Sequence, residues 1–103
     1  MKTLISAGVL SLTLLSGSAI ADDAWEIQHK AEQLGLISLE KAQKVALEAK
    51  PGLIDDIDLE NREFLGGWDY EFEILGRDGK EWEVKVNAET GEIRDISRDW
   101  DWF

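Results

Sequence analysis

The sequence predicts an α+β fold, with two N-terminal helices packed on one face of a four-stranded antiparallel sheet. Three observations carry this expectation. Apolar residues recur at helical spacing between Ala24 and Ala49, then alternate with polar residues from Ile57 onward. Glycine-bearing turns separate the alternating stretches at Gly66-Gly67, Gly79 and Gly91. All five Trp, the one Tyr and the three Phe follow residue 21, a supply of large side chains suited to a packed core rather than to disorder.

The elements follow in order. Asp22 and Asp23 open the first helix, where negative charge suits the N-terminal dipole. Ala24, Ile27, Ala31 and Leu34 form its apolar stripe, and Gly35 closes it in the left-handed conformation. Trp25 falls off the stripe, so it is either a flank contact or exposed. Ser38 is the N-cap of a second helix. Leu39, Ala42, Val45, Ala46 and Ala49 give that helix one apolar face, whose small residues suit close approach to a sheet. Pro51-Gly52 ends it.

The first strand alternates Ile57 and Leu59 with Asp56 and Asp58. Gly66-Gly67 reads as a two-residue hairpin turn, which pairs Leu65 with Trp68 and puts Leu59 opposite Ile74. Trp68, Tyr70, Phe72 and Ile74 alternate with Asp69, Glu71 and Glu73 in the clearest half-buried strand. Side-chain parity then sets the next hairpin. Trp82, Val84 and Val86 share the apolar face only if Ile74 lies opposite Trp82 and Phe72 opposite Val84. The tip is therefore Arg77-Asp78-Gly79, closed by Gly79 with positive φ. Residues 87–91 form a third turn. Ile93 and Ile96 are three apart, so the last strand carries a bulge between them or leaves one isoleucine exposed. The face bearing Glu71, Glu73, Glu81 and Glu83 has to meet water, because several buried like charges would cost several kcal/mol each, roughly.

Residues 1–21 read as a secretory signal peptide. Lys2 supplies the positive start, an apolar run extends from Leu4 to Leu15, and Ala19-Ile20-Ala21 fits signal peptidase. The run is shorter than the roughly 20 residues of a membrane span. The expected organisation is a leader, 1–21, cleaved after Ala21, and a single domain, 22–103, in the periplasm or secreted, with no membrane insertion after cleavage. The absence of Cys suits a bacterial periplasm better than a eukaryotic extracellular space.

The chain carries 11 Lys and Arg against 22 Asp and Glu, a formal charge of −11. Loss of Lys2 with the leader makes the remainder more acidic still. Nucleic acid and anionic membrane are excluded as partners, since both require clustered cations. Basic proteins and metal cations remain, beside plain solubility. The catalytic inventory is nearly empty. His29 is the single histidine, Cys is missing, and with 22 acids some carboxylates neighbour one another by chance. No enzyme activity and no cofactor are expected. Asp55, Asp56, Asp58 and Glu60 resemble the start of a calcium loop, but counting from Asp56 the sixth and twelfth positions hold Asn61 and Gly67 instead of Gly and Glu. The alternative cation reading rests on Asp55, Asp56, Asp58, Asp99 and Asp101. The C-terminal aromatics Trp100, Trp102 and Phe103 either complete the core or form an exposed patch that grips a partner.

From Ile37 to about Arg98 the chain resembles the PepSY domain family. The resemblance rests on residues 37–52 as its opening helix. It rests also on residues 70–74 and 78–84 as its central hairpin, and on residues 86–93 as its closing turn, where Asn87 replaces the usual Asp. It implies a helix pair on a four-stranded sheet, similar to the repeat of the beta-lactamase inhibitory protein. The family occurs in propeptides of thermolysin-like proteases, in a spore-germination protein and as small exported proteins, and is proposed to restrain peptidases. No catalytic residues carry over. The resemblance implies a protein-binding module that inhibits or regulates an exported peptidase. A metal-cation binder and an accessory to a membrane sensor's outer domain are the alternatives. The expected contacts are Trp100, Trp102 and Phe103, with Trp25 beside them. An open last strand makes the chain a monomer or a weak homodimer.

Overall fold

Helix α1 (Ser18–Leu34) buries Ala24 and Ala31 and half-buries Ile27, three of the four residues on its predicted stripe; Leu34 stays exposed. The computed structural model describes residues 18–98. The described helix already includes residues 18–21, so the expected processing point between Ala21 and Asp22 lies within α1. Its end is a Schellman motif. Gly35 takes φ 71°, its N–H donates to Glu32 O at 3.2 Å, and Leu36 N–H donates to Ala31 O at 3.0 Å.

Helix α2 (Leu39–Ala49) starts as predicted, with Ser38 Oγ accepting from Lys41 N–H at 3.1 Å. Gln28 of α1 satisfies a second orphan donor there, its Oε1 accepting from Leu39 N–H at 2.8 Å. Leu39, Ala42 and Ala46 are buried, and the two alanines are fully enclosed. The helix thus approaches the sheet closely, as small residues permit.

Four strands follow: β1 (Gly52–Asn61), β2 (Trp68–Gly76), β3 (Glu81–Asn87) and β4 (Ile93–Arg98). They form one antiparallel sheet in sequence order. Helix α1 lies over β1, and α2 over β2 and β3. The core between the layers is built on Ile57, Leu59, Tyr70, Phe72, Ile74, Val84 and Val86. Tyr70 spends its polar tip on the link between the helices, Oη donating to Ile37 O at 2.6 Å. The same linker donates from Ile37 N–H to Ala88 O at 2.9 Å. One hydroxyl and one amide therefore tie the α1–α2 connection to the sheet, while burial pushes the Tyr70 phenol up to about 12.

The β2–β3 register is the predicted one, Ile74 opposite Trp82 and Phe72 opposite Val84. Gly76 N–H donates to Lys80 O at 2.9 Å around the Arg77-Asp78-Gly79 tip, where Gly79 has φ 80°. In β4, Ile93 faces Val86 and Ile96 faces Val84 across a register shift, so a bulge lets both isoleucines meet the inner face. Both remain partly exposed on this edge strand.

The β1–β2 connection corrects the expectation. Leu59 lies opposite Tyr70, not Ile74, and pairing ends at Asn61 opposite Trp68. Residues 62–67 form the loop, with a 3-10 turn over Glu63–Leu65 in place of a two-residue Gly66-Gly67 turn. The cause is local hydrogen bonding: Asn61 Oδ1 accepts from Glu63 N–H at 2.6 Å and turns the chain early. The offset is four residues, an even number, so every side chain keeps its predicted face. A second irregularity, between Ile54 and Asp56, lengthens β1 back to Gly52. A β-carbon on Gly52 would collide with Leu75 O, so only glycine permits this start.

Candidate protein-binding surface

The sheet's outer face is acidic because the residues alternating with the core are acidic. Asp56 lies opposite Glu73, which lies opposite Glu83; Asp58 lies opposite Glu71, which lies opposite Lys85 and then Asp95. The four glutamates expected there, Glu71, Glu73, Glu81 and Glu83, are half-buried by their neighbours rather than fully solvated. Partial burial, a hydrogen bond with Glu60 and the charges of Glu83 and Glu60 raise the Glu71 carboxyl to about 7; Lys85, with Nζ 3.6 Å from Glu71 Oε2, works against this. Burial lowers the Lys85 pKa, but Glu71, Glu83 and Glu60 outweigh it and hold the amine above its usual value.

Near the β1–β2 loop the outer face holds one buried acid. Asp69 is clamped by Arg94, Nε to Oδ1 at 2.8 Å, and by Arg62, Nε to Oδ2 at 3.5 Å. The opposite end of the sheet is organised around Trp82. Lys50 Nζ lies 3.7 Å from its ring centroid, and its Nε1 donates to Asp78 Oδ2 at 3.1 Å. That backbone-anchored turn holds the Asp78 carboxyl below its usual value, the Lys80 N–H contributing most.

Of the cation-ligating set proposed from sequence, Asp55 and Asp58 fall in different carboxylate clusters among the described residues. Asp55 groups with Glu73 and Glu81, and Asp58 with Glu60 and Glu71, each trio having carboxylate oxygens within 4.8 Å of one another. Asp56 lines a shallow cleft of about 300 Å³ with Asp23, Glu26, Ile27 and Ile57 where α1 crosses β1, and Asp58 borders it as well. Asp99 and Asp101 lie outside the described residues, as do Trp100, Trp102 and Phe103. Trp25 is 75% exposed, so of its two readings the structure shows the exposed one. His29 is exposed on α1.

Sequence reasoning missed two surface residues. Phe64 is 99% exposed and Leu65 is 74% exposed, side by side on the β1–β2 loop. Reading Leu65 as a strand residue hid them. The available signal was Asn61, a residue that favours turns, placed well ahead of the glycine pair. Among the other exposed apolar residues, Leu53 lies opposite Leu75, Ile93 opposite Val86 and Ile96 opposite Val84 on adjacent strands, while Trp25 stands out from α1.

Among the described residues no helix is long and apolar enough to cross a membrane. No curated protein and no solved structure gives a significant match. The model of the PepSY family, described as "Peptidase propeptide and YPEB domain", matches residues 36–96. That span takes in α2, the whole sheet down to Ile96 and the turns between the strands. The two helices on a four-stranded antiparallel sheet are the architecture expected of this family, and the chain belongs to it.

Proposed function

We propose that this PepSY chain is an exported, non-enzymatic protein-binding module that inhibits or regulates a peptidase. The observation that supports it most is the family match over residues 36–96, in a family of peptidase propeptide domains. The signal-peptide pattern of residues 1–21 supports export, and cleavage after Ala21 shortens α1 but retains the core residues from Ala24 onward. Action is by occlusion of the partner's surface. The acidic outer face, rich in Glu71, Glu73, Glu81 and Glu83, favours approach to a basic surface. Exposed Trp25 and the C-terminal Trp100, Trp102 and Phe103 are the aromatic contacts first proposed.

Affinity capture tests the reading. A tagged chain is produced in its own host, and periplasmic and membrane fractions are recovered separately. Recovery of an exported peptidase, with its activity lowered by added chain, supports the proposal. Recovery of a sensor's outer domain instead moves the module to signalling. Substrate turnover by the purified chain refutes the non-enzymatic assignment.

A further inference from the structure

We propose that the β1–β2 loop is the anchor of the partner contact, and that Phe64 and Leu65 enter an apolar pocket with a basic rim on another protein. The inference rests on the protein-binding reading above and names the contact within it.

The first ground is exposure out of proportion to the chain. Single exposed apolar residues are ordinary. Two large neighbours at a loop tip, one wholly and the other three-quarters exposed to water, forgo the stabilisation that burial gives such side chains. A protein with a small core gains nothing from that arrangement unless something else covers the pair.

The second ground is order. Arg62 N–H donates to Gly67 O at 2.9 Å, Leu65 N–H to Arg62 O at 2.9 Å, and Gly66 N–H to Glu63 O at 3.1 Å. Asn61 Oδ1 holds Glu63 N–H at 2.6 Å. The base of the loop is tied down as well, because Arg62 reaches the buried Asp69. Glu63 adopts φ 45°, the one non-glycine residue with positive φ among those described, a conformation that L-residues other than glycine take only under steric strain. Such strain persists only where the surroundings enforce it. A loop already held in one shape loses little entropy on docking, and preorganised apolar side chains convert into affinity with small losses.

The third ground is charge, which selects the partner. Glu60 and Glu63 are exposed beside the pair, and Glu89 carboxylate oxygens lie about 3.5 Å from where a β-carbon on Gly67 would be. The nearest cation, Arg62, is engaged by Asp69. An apolar tip with an acidic surround fits an apolar pocket bordered by Lys or Arg, and it is repelled by an anionic lipid surface.

The test places a photoreactive phenylalanine analogue at position 64 in the producing cell, with the same analogue at Trp25 and Arg77 for comparison. The proposal expects a protein adduct at position 64 in at least about tenfold excess over Arg77, with the attached peptide mapping to an apolar pocket. It also expects the double variant F64A/L65A to lose at least about tenfold in capture of that partner while keeping its thermal midpoint. Adducts no stronger than at Arg77, adducts with lipid, or undiminished capture by the double variant overturn it. A strong adduct at position 64 with a partner that is not a peptidase upholds the loop and refutes the peptidase assignment alone. Adducts at Trp25 but not at position 64 move the contact to α1.

Discussion

Replacing Glu71 with Gln should stabilise the domain at pH 8 and leave it almost unchanged at pH 4. Glu71 sits between Asp58 of β1 and Lys85 of β3, within hydrogen-bonding reach of Glu60. Its carboxyl is raised from 4.5 to about 7 in the folded protein, chiefly by burial. An acid whose folded pKa exceeds its unfolded value binds its proton more tightly when folded. Its contribution to stability is therefore complete below pH 4.5 and is lost as pH rises through 7. For a fully buried group that difference would be worth about 3 kcal/mol. Glu71 is only half-buried, and solvent screening reduces the figure to about 1 kcal/mol. Gln keeps the shape and the hydrogen bond but carries no charge. It also removes the Lys85 partner at 3.6 Å, which offsets a few tenths of a kcal/mol. Urea denaturation of both proteins at several values between pH 5 and 8 measures the effect. The wild type should lose stability across that interval, by about 1 kcal/mol more than Glu71→Gln, equal to about 4–8 °C in thermal midpoint. Parallel profiles for the two proteins would refute the claim that this carboxylate is strained by its neighbours. Asp78 does not confuse the result, because its depressed pKa places its effect below the interval tested.

Other consequences are equally direct. Tyr70→Phe should destabilise by about 1–2 kcal/mol, because it leaves Ile37 O without the hydroxyl at 2.6 Å; thermal melting measures the loss. Gly52→Ala should shorten the β1–β2 ladder, since the added carbon collides with Leu75 O, and amide exchange at residues 52–54 should accelerate while β3 stays protected. Calcium titrated calorimetrically should bind no tighter than about millimolar, because both carboxylate trios are open to water and Lys85 stands 3.6 Å from Glu71 in one of them; micromolar affinity would revive the cation reading.

The β2–β3 hairpin was legible because two constraints agreed there. Parity required Trp82, Val84 and Val86 to join Phe72 and Ile74, and Gly79 offered the one positive-φ position that a three-residue tip needs. For β4 the same logic left two outcomes, a bulge or one exposed isoleucine; the structure has a register shift there, and both isoleucines stay partly exposed. The β1–β2 register was not legible. A slip of four leaves every face unchanged, so hydrophobic pattern is blind to it, and Gly66-Gly67 imitates a tight turn. The choice was made by the Asn61 side chain, by the 3-10 turn and by an irregularity near Asp55 that no pattern announces. The same error concealed Phe64 and Leu65. Half-burial of the outer glutamates also escaped the pattern, which separates in from out but not how closely long side chains crowd on one face.

Contact with a partner's surface is the proposed mode of action of this domain. The direct measurement is a titration of the captured exported peptidase with the purified chain, following the enzyme's activity. The account predicts a linear fall to an endpoint at equal amounts of chain and enzyme. Activity that is untouched at large excess of the chain, or a chain consumed as an ordinary substrate with no inhibition, would contradict it.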